Sequence, residues 1–281
     1  MLSIAILAVS MAAIFIRKAD AHPLFIAFGR CAISTAVMLP IAFRPLAREW
    51  STVPRKSLGF AVAAGVFLGA HFAAWIGSLS LSSVASCVVM ANTTALWAAL
   101  LTPLLSHDRI APRVRFGILI SFAGILVIEW PELMEGGSAW RGDLMALSAG
   151  LGAAIYMLFG RRARGDISIA PYLLICYSVA TLVLLIAMLG AGVPFTGYSW
   201  EALGWIAALG LISQMIGHST FNWALRWLPA AIVGLSLLAE PILTALWAWL
   251  LLSEPPTIAV AVGGGVVLFG VWFATRDKED E

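Results

Sequence analysis

Residues 240–270 read EPILTALWAWLLLSEPPTIAVAVGGGVVLFG, and this stretch repeats landmarks of the first half of the chain. Its pentapeptide Thr-Ala-Leu-Trp-Ala, at residues 244–248, also occurs at residues 94–98, although chance repetition of a common apolar pentapeptide is an alternative explanation. An acidic residue followed by two glycines occurs in both halves at a constant offset of 146: Asp108, Gly117 and Gly124, then Glu254, Gly263 and Gly270. The shared register of these three landmarks indicates a duplicated unit.

The composition of the chain sets its class. Of 281 residues, 61% are hydrophobic and only 11% are charged, which exceeds what a soluble domain of this size requires. The net charge of +2 is small, and the basic residues lie in short loops instead of a patch or tail. We therefore expect an all-α integral membrane protein in contact with the lipid bilayer, and no nucleic-acid partner.

Ten apolar segments of helical length follow one another along the chain. Most reach the roughly 20 residues that cross a hydrocarbon core of about 30 Å. The first is short and begins at Met1 without a basic leader, so we interpret it as a retained span and not as a signal peptide. The predicted spans lie near residues 1–16, 23–43, 57–79, 83–105, 112–130, 143–160, 170–190, 200–225, 230–252 and 256–274.

Lys and Arg accumulate in alternate loops, and such residues mark the cytoplasmic side of a membrane protein. Only Arg17, Lys18 and Arg141 lie in the other loops. Both termini are therefore predicted to be cytoplasmic, which requires an even number of spans. The cytoplasmic set comprises Arg44, Arg48, Arg55, Lys56, Arg109, Arg113, Arg115, Arg161, Arg162, Arg164, Arg226, Arg276 and Lys278.

A duplicated unit with an odd number of spans must cross the bilayer in opposite senses in its two copies. We predict ten transmembrane helices arranged as a 5+5 inverted-topology repeat. The first five-helix repeat covers residues 1–130, the second covers residues 143–274, and a cytoplasmic tail covers residues 275–281. This arrangement is typical of secondary transporters, in which two halves rock about a central site.

The chain resembles the drug/metabolite transporter superfamily, in particular the ten-span type with two EamA domains. The likeness is carried by Glu240-Pro241 within span nine, by Glu254 at the end of that span, and by the glycines at 263–265 and 270 in span ten. The abundance of tryptophan and the stripe from His71 to Trp75 are similar to those of the aromatic amino acid exporters of the YddG type. The first half carries Asn92-Thr93 where the second carries Glu240-Pro241, so the two halves need not contribute equivalent groups.

Polar side chains within the spans are candidate cavity residues, because hydrocarbon penalises them unless they face a cavity or a partner. Packing through interhelical hydrogen bonds is the alternative for each. Two stripes follow helical spacing: His71, Trp75 and Ser78 in span three, and Gln214, His218 and Asn222 in span eight. The remaining candidates lie in spans four and nine: Asn92, Thr93, Trp97, Thr244 and Trp247.

Arg30 and Glu240 are charged residues inside predicted spans. An ionised side chain at the bilayer centre costs about 2.5–3.5 kcal/mol on insertion scales, so each must be paired, hydrated or close to an interface. Glu240 could carry a proton, pair with Arg30, or contact backbone freed near Pro241. Arg30 could instead bind a substrate carboxylate in bidentate fashion.

These patterns predict alternating access by a single ten-helix domain, for which a monomer suffices. The expected cargo is a small zwitterionic or amphipathic metabolite, with aromatic and large apolar amino acids first. The resemblance implies export across the bacterial inner membrane. Transport of other small solutes or drugs within the superfamily is one alternative, and a passive channel is another.

Other classes of protein lack support in the sequence. HExxH and GxSxG motifs are absent, which argues against an enzyme. The nucleotide-binding loop GxxxxGK[ST] is also absent, so ATP-driven transport would require a separate ATPase subunit, and none is evident from the sequence. Cys31, Cys87 and Cys176 lie in apolar segments without CxxC or metal-type spacing. We therefore expect no metal and no cofactor.

Overall fold

The computed structural model describes residues 1–82, 87, 90–105, 109–135, 140–252 and 255–275. Within these ranges all regular secondary structure is helical. The predicted landmarks Asp108 and Glu254, and the tail residues Arg276 and Lys278, lie outside the described residues. The helices are α1 (Leu2–Ser10), α2 (Ala12–Lys18), α3 (Pro23–Glu49), α4 (Arg55–Ser78), α5 (Thr94–Leu105), α6 (Pro112–Glu135), α7 (Trp140–Asp166), α8 (Ile169–Gly190), α9 (Trp200–Ala208), a π-helix (Leu209–His218), α10 (Ser219–Ala224), α11 (Ala230–Leu237), α12 (Glu240–Leu252) and α13 (Ile258–Thr275).

The helices have the length and the apolar exterior of membrane spans. On α8, Leu182, Ile186 and Leu189 follow one helix face and are 55%, 61% and 63% exposed, which suits contact with hydrocarbon. Two shorter apolar helices lie at Met90–Leu105 and Ile258–Ala274. Within the part of the chain that the structure describes, six segments are long and apolar enough to cross a bilayer: Pro23–Glu49, Arg55–Ser78, Trp140–Asp166, Ile169–Gly190, Trp200–Ala224 and Ala230–Leu251.

Two predicted spans are discontinuous at corresponding places. In span nine, α11 ends at Leu237 and α12 begins at Glu240, with a turn between them. Pro241 fits the first turn of α12 because proline lacks the backbone N–H that a helix start leaves unpaired. In span four, residues 90–92 are helical, Thr93 forms a turn and α5 begins one residue later. Broken helices of this kind commonly flank the central site of transporters.

The hydrophobic core consists of two clusters, and each combines helices from both halves of the chain. The larger cluster unites α1–α4 with α7–α10, the π-helix and part of α11. The smaller cluster unites α5 and α6 with α11 and α13. The two halves of the sequence are therefore interleaved in space, because helices of each half bury their apolar sides against helices of the other.

The repeated glycines form the contact between α6 and α13. A Cβ atom at Gly117 would lie 2.7 Å from the carbonyl oxygen of Gly270, and one at Gly270 would lie 2.7 Å from that of Gly117. Gly124 and Gly263 have the same reciprocal relation, at 2.7 and 2.6 Å. Between the two glycine pairs, Ser121 Oγ donates to a backbone carbonyl of α13, 3.1 Å away. The glycines thus allow the close backbone approach that holds helices together in lipid.

Candidate functional site

A cavity of about 460 Å³ lies between the two helical clusters. This volume falls within the range of roughly 300–1,000 Å³ typical of small-molecule sites. The larger cluster lines it with Val9, Ala12, Arg30, His71, Phe72, Trp75, Ala153, Tyr156, Met157 and His218. The smaller cluster and the helices next to it contribute Ala91, Asn92, Thr94, Ile128, Pro131, Gly234, Leu237, Glu240, Pro241, Thr244 and Val260.

The cavity reaches one side of the bundle, called here the open side. Pro131, near the C-terminal end of α6, and residues 255–257, just before α13, are exposed and line its mouth. The α6 and α13 helices are antiparallel, so these two ends lie together. From this side the cavity extends inward to Tyr156 and Met157, which lie well inside α7.

Polar contacts join the helix ends on the opposite, closed side. The carboxylate of Glu49, the last residue of α3, accepts from the backbone N–H of Ser168 at 3.1 Å and also from its hydroxyl. Ser57 Oγ, in the first turn of α4, donates to the carboxylate of Asp166 at the end of α7. We call these four residues the polar clasp. It ties the closed ends of α3 and α4 to the segment that connects α7 with α8.

Two arginines of α7 reinforce the same side. Arg161 Nη1 donates to the carbonyls of Leu225 and Arg226, at 2.9 and 2.6 Å. Arg164 is buried, and its Nε donates to the carbonyl of Asn222 at 3.2 Å. Arg161 therefore bonds to the backbone that follows α10, and Arg164 bonds to the backbone within α10. The closed side is sealed by hydrogen bonds and not by apolar packing alone.

Arg30 lies in the cavity wall with its guanidinium held from two directions. Its Nε and Nη2 both donate to Gln214 Oε1, at 3.1 and 2.7 Å. Its Cζ lies 3.8 Å from the ring centroid of Phe72, a cation–π contact that strengthens when water is excluded. Arg30 is only 1% exposed, yet among the described residues it forms no ion pair. A buried positive charge therefore lines the cavity without a carboxylate partner.

His71 and Trp75 form a flat aromatic surface one turn apart on α4. Their rings lie 6.4 Å apart with an interplanar angle of 6°. His71 Nδ1 lies 2.9 Å from the carbonyl oxygen of Ala149. Because a carbonyl only accepts, Nδ1 must carry the hydrogen, and Nε2 is an acceptor in the neutral ring. The ring orientation and tautomer are thus set by α7.

The π-helix changes the predicted stripe of span eight. We expected Gln214, His218 and Asn222 to share one face of an α-helix, but the first two lie in a π-helix that ends at His218. His218 lines the cavity, whereas Gln214 binds Arg30 and Asn222 Nδ2 donates to the carbonyl of His218 at 2.8 Å. Gln214 Nε2 and His218 Nδ1 are buried without a hydrogen-bond partner. π-Helical segments of this kind are frequent at functional sites.

Glu240 lines the cavity from the first position of α12. The positive end of a helix dipole favours a carboxylate there. Among the described residues, its carboxylate forms no hydrogen bond or ion pair. One turn further along α12, Thr244 also lines the cavity, and its hydroxyl donates to the carbonyl of Ser10 at 3.1 Å.

The structure separates the predicted site residues into two groups. The first group lines the cavity: Arg30, His71, Trp75, Asn92, His218, Glu240 and Thr244. The second group lies outside its lining: Ser78, Thr93, Trp97, Gln214, Asn222 and Trp247. Ser78 and Thr93 donate to carbonyls three residues earlier, and Trp247 Nε1 donates to Ser10 Oγ at 2.9 Å. The polar atoms of these three residues are therefore used in packing. Gln214 supports Arg30, whereas Trp97 Nε1 is buried without a hydrogen-bond partner.

Many lining residues were not predicted from the sequence, among them Tyr156, Phe72 and Met157. Tyr156, well inside α7, is an intramembrane tyrosine, and that position was the signal that could have identified it. Phe72 and Met157 are apolar residues among many others in the same helices, so only their packing distinguishes them.

An all-helical bundle with an apolar exterior, and a cavity lined by intramembrane charges, defines a multi-span membrane protein with a solute-sized site. The model of the EamA-like transporter family matches residues 1–130 and 140–276, and the chain belongs to that family. The protein is thus a membrane transporter, and the predicted membership of the EamA type is confirmed.

Two relatives agree with this assignment, and one solved structure shares the fold. An "Uncharacterized transporter" of Archaeoglobus fulgidus is 27% identical over 263 residues, covering 91% of this chain and 90% of the relative. "Uncharacterized transporter YdfC" of Bacillus subtilis is 27% identical over 204 residues, covering 72% and 66%. A solved structure described as "Crystal structure of protein" superimposes with a TM-score of 0.80 at 22% identity, covering 98% of this chain and 94% of that one. The last likeness concerns the fold alone.

Proposed function

We propose that the protein is a secondary transporter that exports amino acids, aromatic and large apolar ones first, across the bacterial inner membrane by alternating access. The carrying observation is a cavity between two helical clusters that reaches one side of the bundle, while polar contacts seal the other side. Rocking of one cluster against the other would exchange these two states around a fixed site.

The proposal includes ten spans built as two inverted five-helix repeats. The reciprocal glycine contacts of α6 and α13 support it, because residues offset by 146 occupy equivalent places in one interface. The breaks after Asn92 and after Leu237 support it as well, since they interrupt corresponding spans. The family match in two stretches agrees with a duplication.

The distribution of basic residues orients this arrangement. The closed side carries Arg161 and Arg164 together with Arg55 and Lys56, the first two residues of α4. Because arginine and lysine mark cytoplasmic loops, we assign the closed side and both termini to the cytoplasm. The cavity then opens toward the periplasm, as expected of an exporter that has released its substrate.

The chemistry of the cavity favours a small solute with an apolar side chain. The parallel rings of His71 and Trp75 offer a flat surface, and Arg30 and Glu240 offer one charge of each sign. Among the described lining residues, Arg30 is the sole Lys or Arg. A cavity for phosphorylated cargo would be expected to present several such groups.

Counterflow in proteoliposomes tests the proposed function. We expect labelled phenylalanine, tryptophan and leucine to exchange against unlabelled internal substrate, with saturation and mutual competition. Flux that neither saturates nor exchanges would identify a channel and overturn the proposal. Saturable transport of unrelated solutes, without competition by any amino acid, would retain the carrier mechanism and reject the cargo.

A further inference from the structure

We infer that Arg30 and Glu240 are the two poles of one zwitterion site, in which the guanidinium binds the carboxylate of the cargo and Glu240 binds its ammonium group. This inference rests on the proposed function and deepens it by fixing the orientation of the bound amino acid. Both residues line the same cavity. They form no ion pair with each other, so the space between them is available to a ligand.

The positive pole is preorganised for an anion. Gln214 Oε1 accepts from Nε and Nη2 of Arg30, and the Phe72 ring supports the guanidinium plane at 3.8 Å. This leaves Nη1 without a protein acceptor among the described residues. An arginine held in a fixed plane loses little entropy when it binds a carboxylate. The absence of a protein counter-ion favours a ligand that supplies one, because an unpaired buried charge is costly.

Further unpartnered polar groups lie beside this pole. The rings of His218 and Phe72 meet edge to face, 5.3 Å apart, so His218 and Arg30 contact the same aromatic ring. His218 Nδ1 and Gln214 Nε2 are both buried without a partner. Buried polar atoms in native structures normally have partners, and a bound ligand is one explanation for the exceptions. The unpartnered groups thus cluster around Arg30.

The negative pole lies across the cavity at the break of span nine. The Glu240 carboxylate faces the cavity without a protein donor among the described residues. The last carbonyls of a helix lack intrahelical partners, and α11, which ends just before this point, lines the cavity with Gly234 and Leu237. A carboxylate without a protein donor at this break is a suitable partner for an ammonium group.

Opposite charges at the two poles select against singly charged ligands. A zwitterion neutralises both Arg30 and Glu240, whereas a simple anion leaves Glu240 unpaired and a simple cation leaves Arg30 unpaired. Sites built to bind a polar group reject analogues that lack it, because the groups of the protein then remain unpaired. The His71 and Trp75 rings are left to contact the apolar side chain.

Competition by analogues tests the assignment in proteoliposomes with labelled phenylalanine. N-acetylphenylalanine keeps the carboxylate and lacks the ammonium, while phenylalaninamide keeps the ammonium and lacks the carboxylate. We expect each to compete at least about tenfold more weakly than phenylalanine in the unmodified protein. Equal competition by either analogue would overturn the corresponding pole.

The variants should give a crossed pattern. Arg30→Gln should weaken the binding of phenylalanine and N-acetylphenylalanine by about tenfold or more and leave that of phenylalaninamide unchanged. Glu240→Gln should weaken the binding of phenylalanine and phenylalaninamide by a similar factor and leave that of N-acetylphenylalanine unchanged. The exposed residues Arg226 and Glu201 supply matched controls as Arg226→Gln and Glu201→Gln, and these should match the unmodified protein. If Arg30→Gln does not fold, Arg30→Lys tests the same pole, since it keeps the charge and should retain the preference for N-acetylphenylalanine over a neutral analogue.

The outcomes separate the two proposals. If the unmodified protein transports no amino acid, the proposed function fails. If it transports phenylalanine but the folded variants weaken both analogues equally, or neither of them, the pole assignment fails and the proposed function stands.

Discussion

Thr94 and Thr244 make the same contact from the two halves of the chain. Each hydroxyl lies 3.1 Å from a backbone carbonyl of another helix, that of Gly150 for Thr94 and that of Ser10 for Thr244. The Thr94 hydroxyl is shared with the carbonyl of Ala91, at 2.8 Å. The first acceptor lies on α7, which begins the second half, and the second lies on α1, which begins the first half. Both threonines thus contact the first helix of the opposite half, as the proposed duplication leads us to expect.

Removing these hydroxyls should therefore have equal effects. We expect Thr94→Val and Thr244→Val each to lower the free energy of unfolding by about 0.6 kcal/mol, the average for interhelical hydrogen bonds in membranes. Thermal unfolding in detergent measures the change. Thr220→Val is the control, because Thr220 is only partly buried and its hydroxyl bonds to the carbonyl of Ile216, four residues earlier in the same span. A loss as large in that control would show that the interhelical contacts are not responsible.

The contact between α6 and α13 predicts an asymmetry between two neighbouring glycines. A Cβ atom at Gly263 would lie 2.6 Å from the carbonyl oxygen of Gly124, whereas one at Gly265 would meet nothing within 4 Å. We expect Gly263→Ala to destabilise the protein by about 1–3 kcal/mol through overpacking, and Gly265→Ala to be neutral or stabilising. Unfolding temperatures of the two variants, measured side by side, check this. Equal temperatures would contradict the close backbone packing.

His71 should contribute to transport without supporting the fold. We expect His71→Ala to reduce phenylalanine counterflow by about tenfold, or ~1.4 kcal/mol, because the variant loses the flat ring beside Trp75 and the acceptor nitrogen in the cavity. His22→Asn is the control, since His22 is exposed and accepts a hydrogen bond from Leu24 N–H at the start of α3. A folded His71→Ala protein with normal counterflow would remove span three from the site.

The role of Glu240 predicts how substrate affinity depends on pH. A protonated carboxyl loses its charge for the ammonium group, so affinity for phenylalanine should fall as pH falls through the titration of Glu240. Arg30, His71, His218 and Tyr156 face the same cavity, so the Glu240→Gln variant identifies the group responsible. We expect its affinity to be low and nearly independent of pH. An unchanged pH dependence would exclude Glu240 both as the titrating pole and as a proton carrier.

The polar clasp predicts which side of the bundle admits a reagent. In a chain whose native cysteines are replaced by alanine, a membrane-impermeant maleimide should label Trp75→Cys from the periplasm. Leu225→Cys, which is buried on the closed side, should resist labelling from the cytoplasm. Labelling rates in oriented membrane vesicles measure both. The opposite pattern would overturn the proposed orientation.

Weakening the clasp should shift these rates in opposite directions. We expect Ser57→Ala combined with Glu49→Gln to speed labelling of Leu225→Cys and slow that of Trp75→Cys, because it removes charge-assisted bonds that exist only in the closed arrangement. The exposed Arg55 supplies the control as Arg55→Gln. A parallel rise at both positions would indicate general loosening instead of a shift between two states.

Sequence reasoning reached the cavity where side-chain chemistry and helical spacing were sufficient. His71 and Trp75 share a face of an unbroken α-helix, and both line the cavity. Ser78 fits the same spacing, but its hydroxyl returns to the carbonyl of Trp75 at 2.7 Å, a local bond that spacing does not reveal. Gln214 was expected in the lining, but the structure places it behind Arg30, whose charge it holds.

The sequence by itself determined the membrane class, the family, the repeated glycines and the presence of charges inside apolar segments. These follow from the hydropathy, charge and order of residues, which are properties of single positions or short windows. Only the tertiary structure decided that Arg30 meets Gln214, 184 residues away, that the two halves interleave, and that the cavity reaches one side. Such features depend on how helices distant in sequence rotate and cross, because interhelical packing and not local preference sets those contacts.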